Sequence, residues 1–134
     1  STMGTLMASG IMEAGKALKG KNEMGPADLS AYFTAFAAGI QKRGKCSRGE
    51  RTILDAVGAA ADRASACLEA TPDAGLAQVM DAAVSGAEAG VEASRAMMPK
   101  YGKAAVFAAK AIGIPDQGAT AGMYMLKGMA RYIR

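Results

Sequence analysis

A glycine-containing basic segment at residues 43–52, R-G-K-C-S-R-G-E-R-T, combines the start of a helix with fixed positive charge. The N-terminus of a helix presents unpaired N–H groups and a partial positive charge of roughly half a unit. With Lys45, Arg48 and Arg51 added, the segment predicts a site for an anion such as a phosphate. The residues alone equally allow a plain capped helix whose cations are solvated.

A second segment of this kind lies at residues 114–120, I-P-D-Q-G-A-T. Asp116 is a good candidate for a helix N-cap, and Pro115 fixes the direction from which the chain enters the helix. Gly118 and Ala119 are small enough for another group to press against the first turn. An ordinary capped turn explains the same residues.

The sequence lacks the residues that several other kinds of catalytic or metal site need. The chain has no histidine, and its two cysteines, Cys46 and Cys67, form no C-x-x-C pair, which argues against the usual zinc sites and against His-based catalysis. No G-x-x-x-x-G-K-[ST] loop and no paired aspartate motif occurs, so a self-sufficient magnesium site is not expected. Free thiols fit a reducing cytosol, and Cys46, beside Lys45, is expected to be the more reactive thiol.

Composition predicts one all-α domain. The chain has 134 residues, of which 51% are hydrophobic but only 5% aromatic, and it contains no Trp. Ala, Met and Leu are strong helix formers, whereas the residues that favour strands are scarce. No apolar run reaches the length of about 18 residues that a membrane span needs. The net charge of +4 is modest and few aromatics are available for base stacking, so nucleic acid is not a predicted partner. A basic helical binder of nucleic acid stays as a rival that a salt-dependent DNA-binding assay would expose.

Helix-start and helix-breaking residues divide the chain into amphipathic helices joined by short connections. This pattern predicts an antiparallel bundle. Ser47 and Glu50 have the spacing of a capping box, and Thr71-Pro72 has that of a cap followed by a first-turn proline. Small residues at Ala82, Gly86 and Gly90 predict close helix packing. The expected helices cover residues 4–19, 26–44, 47–68, 72–98 (about 40 Å long), a segment through 110, and 118–132. Three methionines near the end, Met123, Met125 and Met129, are expected to fill the core.

Residues 44–56, G-K-C-S-R-G-E-R-T-I-L-D-A, resemble the G-K-x-x-P-G-D-K-T-M-L-D-A signature of the dihydroxyacetone kinase nucleotide-binding L subunit or L domain. Residues 101–105 fit that family's G-R-A-S-Y segment, residues 115–120 its Q-D-P-G-A-T turn, and residues 3–5 its F-G-T. The motifs occur in the family's order and at matching separations. The resemblance covers essentially the whole chain.

The resemblance implies a helical bundle or partial helical barrel that binds ADP or ATP, with magnesium, at one end. It implies cytoplasmic transfer of the γ-phosphate to a small ketose held by a K-type subunit or domain, with an M-type phosphotransferase subunit as a further partner in some systems. Carried over by position, the nucleotide-binding residues are Gly44, Ile53, Lys103, Asp116, Gln117 and Gly118. No catalytic residue and no metal ligand is assigned within the chain.

This sequence departs from the family pattern in two ways. Arg48 and Glu50 replace Pro and Asp, Lys103 replaces Arg, and Gln117 replaces Pro. The family's N-terminal G-D-x-D-H-G segment, whose aspartates hold the magnesium ions, has no counterpart. We therefore expect residues 1–134 to form one helical domain that lacks this metal-binding segment, with metal ligands supplied from outside and little turnover by the chain alone. The alternative is a catalytically silent helical interaction or regulatory relative. The residues identify neither the sugar, nor the phosphate donor, nor the oligomeric state.

Overall fold

The computed structural model describes residues 2–100 and 111–133, and over those residues it is all helical, which confirms the predicted fold class. The predicted segment at residues 101–110 lies outside this part of the chain. Five α-helices are described, and none is long and apolar enough to cross a membrane. They are α1 (Thr2–Ala17), α2 (Pro26–Gly44), α3 (Ile53–Ala70), α4 (Leu76–Ser94) and α5 (Gln117–Ile133).

The starts of α2 and α5 agree with the sequence signals. Pro26 occupies the first turn of α2, where its missing N–H costs nothing, and the Asp28 carboxylate accepts from the Gly25 N–H at 2.9 Å. Asp116 caps α5, because its carboxylate accepts from the Ala119 N–H at 2.9 Å. Both predicted boundaries are confirmed to within one residue.

The predicted starts of α3 and α4 are wrong. Helix α3 begins at Ile53, six residues after Ser47, and its cap is Thr52, whose hydroxyl accepts from the Leu54 N–H at 3.1 Å. Thr71 ends α3 rather than starting α4, since its N–H donates to the Cys67 carbonyl at 2.8 Å. Helix α4 starts only at Leu76, so its 19 residues span about 28 Å instead of about 40 Å.

Helices α3 and α4 pack antiparallel through the small residues of α4, as predicted. Gly86 lies on the backbone of Ala59, and Gly90 lies on the backbone of Asp55. Helix α5 runs antiparallel to α4, with Lys127 3.7 Å from Glu88, and it packs beside α3 through Gly122, which contacts Ile53. Helices α1 and α2 form the other half of the bundle.

The core joins both halves of the bundle. Its largest fully buried side chains include Leu29, Phe36 and Ile40 of α2, Ile53 of α3, Met80 of α4 and Leu126 of α5. The methionines of α5 are only partly buried, but they pack against this core, in agreement with their predicted role. Helices α3 and α5 are therefore held side by side, which fixes where their N-termini meet.

Candidate functional site

The N-termini of α1, α3 and α5 converge at one end of the bundle. Gly118, in the first turn of α5, lies against the backbone nitrogen of Ile53, the first residue of α3, and against the side chain of Met3 in the first turn of α1. Each N-terminus carries a partial positive charge of roughly half a unit, so their convergence creates a region favourable to an anion. The two glycine-containing segments are thus brought together although more than sixty residues separate them.

Gly118 is what allows this approach. A Cβ at this position would press on the Met3 methyl group, the Asp116 carboxylate and the Ile53 backbone nitrogen. The Met3 methyl group is the end of a flexible side chain and can move aside, so a side chain at residue 118 would press mainly on the Asp116 carboxylate and on the Ile53 backbone.

The loop before α3 is folded onto two carboxylates. Asp55, which is 2% exposed, accepts from the Gly49 N–H at 2.6 Å and from the Thr52 N–H at 2.8 Å. Glu50 accepts from the Ser47 N–H at 3.1 Å, so half of the predicted Ser47–Glu50 arrangement exists, but within a turn and not at a helix start. The backbone of this loop therefore has its shape fixed by its own acidic residues.

Acidic caps also occupy part of the two helix starts. Thr52 with Asp55 serves α3, and Asp116 serves α5, so several of the N–H groups predicted to face an anion are already hydrogen-bonded. Burial raises the pKa of the Asp116 carboxyl above its usual value, although the Ala119 N–H and the nearby Arg51 act in the opposite direction. An anionic ligand here would have to use N–H groups that these caps leave available, or displace the caps.

Arg51 is the buried cation of the site. It is 7% exposed and has a positive φ of 63°, and its guanidinium donates to the Ser94 carbonyl at 2.6 Å and to the Ile114 carbonyl. These bonds tie the loop before α3 to the end of α4 and to the segment that leads into α5. Ser94 strengthens the same junction, because its hydroxyl accepts from the Asp116 N–H at 2.8 Å.

The predicted cluster of Lys45, Arg48 and Arg51 does not form as one anion site. Arg48 makes an ion pair with Asp62 at 2.9 Å along α3, and its stem covers Gly58. Lys45 is exposed at the end of α2 in a left-handed conformation. Arg51 alone of the three is buried, and its two hydrogen bonds go to backbone carbonyls.

The residues assigned by resemblance fall into three groups. Ile53, Asp116, Gln117 and Gly118 lie at the convergence of helix starts, although Ile53 is only 1% exposed and its backbone nitrogen is covered by Gly118. Gly44 lies at the end of α2 against Leu6 and next to Cys46, which in turn neighbours Thr52. Lys103 lies outside the described residues.

The thiol prediction is overturned by burial. Cys46 is 4% exposed, and burial raises the pKa of its thiol, whereas Cys67 is only partly buried. Although Cys46 stands beside Lys45 in the sequence, its sulfur lies in the core and not next to solvent.

No residue in the described part of the chain can be assigned to a metal. Among residues 2–100 and 111–133, no three side chains of the ligating types His, Cys, Asp and Glu come together. Residues 101–110 contain none of these four residue types. The Asp55 and Asp116 carboxylates of the site are engaged as helix caps.

Four residues of the site were missed or misjudged from the sequence. Thr52 and Asp55 have the spacing of a capping box, a signal that was present but competed with the same spacing at Ser47 and Glu50, five residues earlier. Arg51 was one of five cations in its region, and only the fold shows that it is buried. Nothing in the sequence marks Ser94.

Comparison with known proteins identifies the family. The family model of the DAK2 domain matches residues 1–131. The chain is 34% identical to triokinase/FMN cyclase of Homo sapiens and 32% identical to that of Bos taurus, over 98% of this chain and 22% of each relative. It is 26% identical to the ADP-binding subunit DhaL of the PEP-dependent dihydroxyacetone kinase of Escherichia coli, over 95% of this chain and 60% of that subunit. The chain thus spans about a fifth of the triokinases and less than two thirds of the bacterial subunit.

Proposed function

The chain belongs to the DAK2 domain family, and on this premise we propose that it is the ADP- or ATP-binding part of a dihydroxyacetone (glycerone) kinase-type phosphotransferase. The observation that carries the proposal is the convergence of the α1, α3 and α5 N-termini around Gly118. The relative from Escherichia coli is named an ADP-binding subunit, and the mammalian relatives are named as kinases.

In this proposal the phosphates of the nucleotide lie against the helix starts. The first turn of α5 at Gln117 and Gly118 supplies N–H groups, since a backbone donor needs no particular side chain. Ile53, which is 1% exposed, belongs to the set as the residue against which this turn packs. Gly118 has no side chain of its own to block a phosphate, and the Met3 methyl group that covers its backbone is the end of a flexible side chain. Gly44 and Lys103 complete the nucleotide-binding set, Lys103 as a single ammonium in the place of the family's planar guanidinium.

Magnesium does not fit the residues described. The two carboxylates at the convergence are hydrogen-bonded to backbone N–H groups, and no third ligating residue joins them in the described ranges. We therefore assign no step to a metal bound by this chain and propose that its ligands are supplied by other residues, such as the family's N-terminal segment.

The phosphoryl acceptor is proposed to be a small ketose held by a K-type subunit or domain in the cytoplasm, with an M-type subunit as a further partner. The role of this chain is then to hold and orient the donor, because phosphoryl transfer depends mainly on positioning and on charge stabilisation. No side chain here is proposed to form a covalent bond with the substrate.

One observation favours the catalytically silent alternative. The caps formed by Asp55 and Asp116 place negative charge at the helix starts where a phosphate would bind. A helical interaction or regulatory relative that no longer binds nucleotide would keep such caps for stability.

Calorimetric titration of the chain with ADP and with adenosine, each with and without magnesium, decides between the two. The proposal predicts weak ADP binding that changes little with magnesium, and weaker binding of adenosine. Gly118→Val should reduce ADP affinity at least about tenfold, because a side chain fills the space between the helix starts. Gly128→Val is the matched control, since residue 128 of α5 has open space around it.

Failure would be unambiguous. A folded wild-type chain that binds neither ligand would support the silent relative. Equal losses of ADP and adenosine in the Gly118→Val variant would show that residue 118 does not act on the phosphates. Lys103→Ala should likewise weaken ADP more than adenosine.

A further inference from the structure

Arg51 combines features that are costly to the fold. Arg51 is only 7% exposed, and its φ of 63° is one that residues other than glycine rarely adopt. Its Nε atom is buried and has no hydrogen-bond partner among residues 2–100 and 111–133. A buried cation is normally compensated by a carboxylate and by a full set of hydrogen bonds.

The hydrogen bonds of Arg51 go to two backbone carbonyls, and the Asp116 carboxylate lies near enough to interact with its charge. One is that of Ser94, the last residue of α4, and the other is that of Ile114, two residues before the α5 cap. Arg51 itself immediately precedes Thr52, the cap of α3. One side chain thus joins the start of α3 to the segment that sets the start of α5.

Stability alone is a poor explanation for such a residue. Replacing a buried charge by a well-packed apolar side chain is often neutral or stabilising, and the positive φ adds strain. What an apolar side chain cannot do is bond two carbonyls at fixed positions. The planar fork of a guanidinium does so with defined geometry.

We propose that Arg51 is a positioning residue of the nucleotide site, which sets the separation between the α3 and α5 N-termini by clamping the loop before α3 to the segment before α5. The inference rests on the proposed function for its ligand, but the clamp is a property of the structure that can be tested without nucleotide. Arg51 acts through the helix starts and not by touching the reacting atoms.

A matched control lies in the same segment. Arg95, which is 44% exposed, donates to the Gly113 carbonyl at 3.0 Å and pairs with Glu92, so it holds the segment before α5 from the solvent side only. Its loss removes a hydrogen bond from the segment but leaves the link to α3 intact.

The experiment compares Arg51→Lys and Arg95→Lys with the wild-type chain by hydrogen exchange followed by mass spectrometry, and by titration with ADP and adenosine. Lysine keeps the charge but offers no planar fork. For Arg51→Lys we expect exchange to accelerate about tenfold at residues 52–55 and 114–120 relative to α1 and α2, and ADP affinity to fall about tenfold with adenosine affinity unchanged. For Arg95→Lys we expect changes below about threefold.

Met80→Ala supplies a general destabilisation, because Met80 is buried in the core of α4. It should accelerate exchange across the bundle while leaving the ADP affinity of the folded protein unchanged. If Arg51→Lys behaves like Met80→Ala, or if it leaves exchange at the two segments unaltered, the positioning role is refuted.

The two proposals fail separately. If the wild-type chain binds no ADP, the proposed function is wrong and Arg51 positions no nucleotide. Local acceleration of exchange in Arg51→Lys would then still support the clamp, and uniform acceleration would overturn it. If ADP binds and Arg51→Lys leaves its affinity unchanged, the function stands and the positioning role falls.

Discussion

Gly90 of α4 packs directly on the peptide group of Asp55 in α3, so closely that a Cβ at residue 90 would overlap the Asp55 carbonyl oxygen. Asp55 is the residue whose carboxylate holds the Gly49 and Thr52 N–H groups in the loop before α3. The packing of α4 on the first turn of α3 is therefore coupled to the geometry of the candidate site.

Gly90→Ala should destabilise the chain by about 1–3 kcal/mol, because the added methyl group forces α3 and α4 apart in a packed region. The free energy of unfolding from urea titrations followed by circular dichroism measures the effect. Gly128→Ala is the control: residue 128 is also inside a helix but faces open space, so alanine should stabilise by about 0.5–1 kcal/mol. Equal effects of the two substitutions would contradict the described packing.

Thr52→Ala should cost about 1 kcal/mol of unfolding free energy, since the Thr52 hydroxyl caps α3. Ser47→Ala should change it by less than about 0.5 kcal/mol, because the Ser47 contact with Glu50 is made by its backbone N–H, which alanine retains. Urea unfolding of both variants distinguishes them. A larger loss for Ser47→Ala would mean that the helix starts at residue 47 after all.

In the Asp116→Asn variant, the free energy of unfolding should fall less between low and neutral pH than it does in the wild-type chain. Burial raises the pKa of the Asp116 carboxyl, so the folded state favours the protonated form, and the stability from this group is lost as pH rises through the folded pKa. Asparagine also caps helices but does not ionise. Melting temperatures measured from pH 3 to pH 7, about the range over which carboxylates titrate, should fall less with rising pH in the variant than in the wild-type chain.

Asp28→Asn provides the opposite case. The Gly25 N–H and then Lys21 lower the pKa of the Asp28 carboxyl, so its stabilising effect is present above the ordinary pKa of 3.8 and disappears as pH falls through the lower folded pKa. Its replacement should therefore cost stability at neutral pH and little in acid. Parallel pH profiles for the two variants would contradict the assigned environments.

Cys67 should react with a thiol reagent faster than Cys46 in the folded chain. The Cys46 sulfur is buried in the core, where burial raises the pKa of its thiol and disfavours the reactive thiolate, while Cys67 is partly exposed. Mass spectrometry of partially labelled protein gives the two rates, and the Cys67→Ser variant should lose the fast phase. In urea the two rates should become similar, which ties the difference to the fold.

Helix type and the antiparallel packing could be predicted because they follow from local composition and spacing. Abundant Ala, Leu and Met favour helices. Glycines four residues apart lie on one face of α4, and because that face has no side chains there, another helix can pack closely against it. The caps at Pro26 and Asp116 were predictable for the same reason, since a cap depends on residues within one turn.

Boundaries were less predictable where two local signals compete. The pairs Ser47–Glu50 and Thr52–Asp55 have the same spacing, and Thr71 can end one helix as well as start the next. In the structure Asp55 packs against α4 and accepts from both the Gly49 and the Thr52 N–H groups, which favours a helix start at residue 53.

By itself the sequence determined the helical class of this protein, the direction of its main helices and its DAK2 domain motifs, all properties of residues near one another in the chain. Only the tertiary structure decided that Arg51 is buried while Arg48 is solvated, that Cys46 is shielded, and that Gly118 meets Ile53. These outcomes depend on distances between segments far apart in sequence. The burial of a charge or thiol is set by what the other helices place around it, and no local pattern contains that information.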